Sequence, residues 1–189
     1  ISTPRSGWTA CLGERGPGIA CFLALARSAP ALFPRHSWTF ICTSAHEFEN
    51  SGAAAALRQI APRPEETDLW LHLGAGFAAR DWHETGGQLV PLPSADPQRF
   101  LLTSPHLLER ARTAFSGLPG LEAAYSTTLG AAGELSAIVA EGYPNVVGML
   151  GTHRFHHVSD DDMRCVAPEL VQEVLDRLTR FFASVTPGN

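Results

Sequence analysis

Apolar and polar positions fall in runs whose period changes along the chain. "IACFLALARSAP" is almost continuously apolar and predicts a buried helix that ends at Pro30. The stretch before it, Gly7 to Gly18, reads as a Gly/Pro-rich loop. "SWTFICTS" is rich in β-branched and aromatic residues and predicts a strand at about 37–43. "SGAAAALRQIAP" predicts a helix with a Ser/Gly start and a Pro stop, and "DLWLHLGAG" a short strand closed by glycines. "GGQLVPLPSADPQ" reads as a turn-rich connection with a brief strand. "SPHLLERARTAF" predicts a helix capped by Ser104, with Pro105 in the first turn. "GELSAIVAEG" predicts a helix ending at Gly142, and "PNVVGMLG" a strand. In "APELVQEVLDRLTRFFASV", Leu170, Val174, Leu175, Leu178, Phe181 and Phe182 recur at helical spacing and predict a long amphipathic helix.

Strands alternating with helices imply an α/β fold, a three-layer α/β/α arrangement around a mostly parallel central sheet. In such sheets ligands bind beyond the carboxyl ends of the strands. The residues just past the apolar runs are His46-Glu47, His72 with Gly74, and "THRFHHVSDDD". The loop before the first helix adds Glu14. Histidines and carboxylates are therefore expected at one edge.

Composition narrows the function classes. A chain of 189 residues, 44% hydrophobic and 17% charged, suits one domain spanning 1–189 with a sizeable core. The net charge of −5 comes without a basic cluster, so neither nucleic acid nor an anionic membrane is an expected partner. No apolar stretch has transmembrane length. None of the four cysteines forms a CxxC pair, and Cys21 and Cys42 read as small core residues. The sequence assigns no compartment. Ile1-Ser2-Thr3 reads like the end of a strand without a Met, so an upstream segment of the same protein is expected, the alternative being the start of a mature secreted chain.

Each candidate motif has a chemical and a plain reading. Glu14 lies among glycines, but no Lys-Ser/Thr follows and a carboxylate repels phosphate. It is either a loop carboxylate near a metal or a solvated turn residue. His46 and Glu47 can bind a metal and move protons, or be exposed loop residues. His72 lies inside "LWLHLG" and is a hydrogen-bonded core or surface residue unless other ligands stand near it. "GTHRFHHVSDDD" is dense in the donors that suit Zn²⁺, or is a polar loop with a helix-capping Asp run. No serine has the G-x-S-x-G setting and no Cys/His motif argues for a thiol enzyme. A metal-bound water is the best-supported nucleophile.

Taken in order, these motifs resemble the M28 family of zinc aminopeptidases and the related glutaminyl cyclases. "LGERGPGIA…FLALAR" resembles the family's G-A-x-D-N-x-S-G-V-A loop and helix, with Glu14 at the metal-bridging aspartate. "AHEFENSGA" matches the strand ending in Glu-Glu, with His46 at the general base and Glu47 at a metal ligand. "WLHLGA" resembles N-L-D-M-x-G, with His72 at an aspartate ligand. "GELSAIVAEGYP" resembles the S-D-H segment, with Glu134 at the aspartate, and "HHVSDDD" resembles Y-H-T-x-x-D-T, with His157 a ligand and Asp161 the outer aspartate. The resemblance runs from about residue 1 to 185 and lacks the family's upstream strands and first helix.

The departures bear on activity. Thr3-Pro4-Arg5 stands near the place of the family's His-x-Asp motif, which implies that one of two zincs is lost. The resemblance then implies at most one zinc, held by Glu14, Glu47 and His157, with His72 as a further candidate ligand. His46 would act as base, with Glu134 and Asp161 in support, on a peptide or small amide substrate. The alternative is a pseudo-peptidase that keeps the fold as a binding or structural module. An unrelated flavodoxin-like domain explains the alternation but not the ordered motifs.

Overall fold

In the computed structural model, which describes residues 1–185, the elements run β1 (Ser2–Pro4), α1 (Leu12–Leu32), β2 (Ile41–Thr43), α2 (Ser51–Gln59) and β3 (Trp70–Leu73). Then follow β4 (Arg80–Thr85), β5 (Gln88–Ala95), β6 (Arg99–Thr103), α3 (Leu108–Ala114) and β7 (Tyr125–Ser126). The chain closes with α4 (Glu134–Ala140), β8 (Val146–Gly151) and α5 (Pro168–Val185). The six-stranded sheet has the order β2-β1-β3-β8-β6-β7. All neighbours in it are parallel except β6 and β8. It is thus the mostly parallel α/β sheet expected from the alternation.

Strand periodicity divides the core into two layers. Leu71, Leu73, Val147, Met149 and Leu101 face α1, α3 and α5 in the larger cluster. Trp70, Val146, Leu150 and Leu102 face the other way, toward α2 and α4. Leu71, Leu73 and Met149 are essentially sealed from water. Burial of each such side chain stabilises the fold by roughly 1.5–3 kcal/mol. On the second face Gly148, opposite His72 in register, leaves the space that the Leu135 side chain of α4 fills.

Several local expectations are corrected. Helix α1 begins at Leu12, inside the supposed loop, and contains both Pro17 and Pro30. Its N-cap Cys11 makes no side-chain cap bond. The first turn is instead held by Asp161, 148 residues away, which accepts the N–H of Gly13. Its other oxygen accepts the N–H of Glu14 at 3.0 Å. At the far end the Phe33 N–H donates to the Ala29 carbonyl, so the helix passes Pro30. A cap supplied by tertiary structure leaves no local sequence mark.

The connection expected around "GGQLVPLPSADPQ" is a two-stranded antiparallel hairpin, β4–β5, followed by the sheet strand β6. Gly86 and Gly87, both at positive φ, form its two-residue turn. Pro91 and Pro93 fit β5 because a two-stranded hairpin leaves an outer edge without ladder bonds. Ser104 does not cap a helix with its side chain; its Oγ accepts the Val146 N–H at 2.9 Å, and α3 starts at Leu108 after a 3₁₀ turn. Cys42 is exposed, not core, because β2 is the sheet edge and only Ile41 and Thr43 point inward.

Candidate functional site

Because β1, β2, β3 and β8 run parallel, their carboxyl ends share one edge of the sheet. Ser6 follows β1, His46 and Glu47 follow β2, and the 152–162 segment follows β8. The first turn of α1 brings Glu14 and Arg15 to the same edge. Among the described residues, the non-glycine positions at positive φ are Cys11, Ala45, Glu49, Asn50 and His157. They lie in the connections around this site, where backbone strain commonly accompanies function.

An ionic clasp occupies the centre. Glu14 is 1% and Arg15 3% exposed. Arg15 Nη2 lies 2.8 Å from Glu14 Oε1 and 2.9 Å from Glu47 Oε1. Its Nε donates to the Ser6 carbonyl at 2.8 Å, and the Ser6 hydroxyl accepts the His46 N–H at 3.1 Å. The guanidinium therefore ties the ends of β1 and β2 to the start of α1. Glu14 Oε2 and Arg15 Nη1 are buried without a partner.

Beside the clasp, His46 Nδ1 stands 3.4 Å from the buried Glu134 carboxylate. Thr43 Oγ1 donates to that carboxylate, lying 2.8 and 2.9 Å from its oxygens. His72 is buried under the α2/α4 layer. Trp70 Nε1 donates to Ser2 Oγ at 2.9 Å, so the Ser2 hydroxyl proton is free to bond His72 Nδ1 at 3.0 Å. Burial pushes the His72 imidazole down to a pKa of about 4, so it is neutral near pH 7.

On the other side lies the β8–α5 segment. His157 Nε2 is 3.3 Å from Glu14 Oε1, and its ring stacks on His156 at 4.1 Å between centroids. Burial lowers the pKa of His156. The fully buried His153 places Nε2 3.4 Å from Asp161 Oδ2. Burial disfavours the Asp161 anion, but His153 and the N–H groups of Gly13 and Glu14 outweigh it and hold the carboxyl below its ordinary range. Gly13 is required there: a Cβ would stand 2.7 Å from the His153 ring and 2.8 Å from Asp161.

The structure thus groups Glu14 with Glu47 through Arg15, Glu14 with His157, and His46 with Glu134. Asp161 supports the first turn of α1, and His72 bonds Ser2 one layer away. Among the described residues, three sets of side chains bring potential metal-ligand atoms within 4.8 Å of one another: Glu14–His156–His157, His153–Asp161–Cys165 and Cys11–Glu14–Asp161. Neither Glu47 nor His72 belongs to any of them. Sequence reasoning missed Arg15, His153 and His156. Arg15 had a visible signal, a basic residue where the resembling loop has asparagine; the histidines had only their density.

No family model and no curated protein matches the chain by sequence. Solved structures do match in shape. The aminopeptidase from Aneurinibacillus sp. strain AM-1 superposes with a TM-score of 0.69 at 14% identity, over 100% of this chain and 44% of its own. BSAP, a zinc aminopeptidase from Bacillus subtilis, gives 0.67 at 15% identity, over 97% and 45%. The Legionella pneumophila LapA aminopeptidase gives 0.63 at 14%, over 100% and 52%. The fold is therefore similar to that of zinc aminopeptidases, and the chain spans about half the length of these proteins.

Proposed function

We propose that this chain is a pseudo-peptidase, a binding module built on a zinc-aminopeptidase-like fold, with a peptide or small amide as its ligand class. One observation carries the reading: the Arg15 guanidinium lies between Glu14 and Glu47. A zinc ion held by both carboxylates would stand about 2.0–2.2 Å from each oxygen. The Arg15 nitrogen fills that space and already offsets one of the two negative charges of the pair. The donor set Glu14–Glu47–His157 therefore fits zinc poorly. Thr3-Pro4-Arg5 supplies no imidazole or carboxylate to compensate. Trp8 and Phe48, exposed with ring centroids 6.4 Å apart beside the site, offer apolar surface for a peptide.

A panel of aminoacyl-p-nitroanilides and dipeptides, with and without added Zn²⁺, tests this. The expected result is turnover no greater than that of Glu47→Gln. Zinc-dependent turnover that Glu47→Gln abolishes would overturn it. That outcome would establish the second reading, a hydrolase of peptide or amide bonds with at most one zinc. The His46–Glu134 contact favours that reading, because a carboxylate on one ring nitrogen orients the imidazole as a proton acceptor.

A further inference from the structure

We infer that Trp8 and Phe48, with the loop that carries Trp8, dock a proline-rich peptide in the polyproline II conformation. The inference rests on the peptide-binding reading above and names the ligand of that same edge. Trp8 follows β1 and Phe48 follows β2, so two separate connections bring the rings together. They are 63% and 70% exposed, with centroids 6.4 Å apart and planes tilted by 48°. Val158, also exposed, joins them from a third segment, where its carbonyl accepts the Thr9 hydroxyl at 3.2 Å. Large apolar side chains exposed side by side mark an interaction surface.

Hydrogen-bonding character selects the ligand, because the polar groups of the Trp8 loop are donors. Ser6 Oγ accepts the His46 N–H at 3.1 Å, which leaves its own proton to give. Arg5 is exposed, and among the described residues neither its guanidinium nor the Trp8 indole N–H makes a hydrogen bond or ion pair. The carboxylates of the edge are committed: Glu14 and Glu47 hold Arg15, and Glu134 accepts the Thr43 hydroxyl and stands against His46. An ordinary peptide brings an N–H with every carbonyl. Those N–H groups would find no open carboxylate in the clasp. Proline brings a carbonyl and no N–H. A run of prolines is therefore an acceptor strand that complements a donor loop. Its pyrrolidine rings offer apolar faces to the aromatic pair. Its backbone is extended and free of internal hydrogen bonds before binding, so little order is lost. Aromatic-lined grooves that read proline-rich segments work by this chemistry. The exposed Glu49, next to Phe48, suits a basic residue flanking the prolines.

The test titrates the full chain, labelled for NMR, with acetylated and amidated decaproline. The control is an alanine–serine peptide of equal length and the same end groups, which restores the N–H groups. Decaproline should move the Trp8 indole signal in a saturable way and bind at least ~5-fold tighter than the control, the scale of one net hydrogen bond. Trp8→Ala and Phe48→Ala should each weaken binding at least ~10-fold, as loss of an aromatic anchor does, with the melting temperature unchanged. Trp8→Phe keeps a ring and removes the N–H, and should weaken binding about 3-fold. Lack of saturation at about 1 mM peptide, the weak end of specific binding, would overturn the site. So would undiminished binding by any of these variants, or shifts confined to the indoles of Trp38, Trp70 and Trp82. The comparison of the two peptides on the wild type depends on no variant's folding. Equal binding of both removes the proline-rich ligand and leaves the peptide-binding reading standing. Zinc-dependent turnover of dipeptides removes the pseudo-peptidase reading and leaves the docking site standing.

Discussion

Arg15 is the residue on which the chemistry of this edge turns. Its charge lies among two carboxylates in a nearly dry setting, so removing it strands both. Arg15→Ala should destabilise the protein by about 3 kcal/mol in urea titrations at pH 7, the scale for breaking a buried pair. Adding Glu47→Gln to that variant should cost less than the same change in the wild type, with a coupling of at least ~1 kcal/mol. Additive losses would show that the clasp carries no energy. His72 gives a second handle. Its folded pKa of about 4 lies below the ordinary value of 6.5. The unfolded chain therefore takes up a proton first as pH falls, and the neutral native imidazole stabilises the fold only above that range. Between pH 7 and 4 this linkage should remove about 3 kcal/mol of stability. His72→Asn should flatten that part of the stability–pH curve.

At the scale of elements, α1 is decided by how closely it approaches the sheet. A Cβ on Gly18 would lie 2.9 Å from Thr3 Oγ1 and 3.1 Å from the Leu73 carbonyl. One on Gly16 would meet nothing closer than 3.8 Å. Alanine gains up to ~1 kcal/mol over glycine inside a helix. Overpacking against backbone costs typically 1–3 kcal/mol. Gly16→Ala should therefore stabilise slightly and Gly18→Ala destabilise, a difference of sign readable in denaturation midpoints. The same close approach explains why a segment that reads as a loop is helical. Its glycines allow contact with β1 and β3, and Asp161 supplies the cap that Cys11 does not.

At the scale of the whole molecule, the two-layer core leaves the thiols in distinct settings. Cys11, Cys21 and Cys165 are buried and Cys42 is exposed, all four unpaired. A thiol reagent should titrate one group in the native protein and four after denaturation. Reducing agent should leave the melting temperature unchanged. Two fast-reacting native thiols would contradict the packing of α1 or of the β8–α5 segment. The sheet is built from strands of two to six residues, and much of its edge is connecting segment. That edge gathers side chains from five separate stretches of the chain.

Periodicity was enough for the α/β alternation, the long amphipathic α5, and β3 and β8. Those elements bury one face or both, and burial writes itself into residue order. The candidates at the strand ends were legible for the same reason: a parallel sheet sends every carboxyl end to one side. Other features had no local mark. Whether Pro17 could stand inside a helix depended on a cap from Asp161. Whether Cys42 was core depended on β2 lying at the edge of the sheet. Whether Glu14 and Glu47 met a metal or a guanidinium depended on where the Arg15 side chain was drawn, a contact spanning 32 residues. Sequence order specified which groups were available at the edge. Only the tertiary structure decided which of them pair, because ionic partners are selected by distance in space.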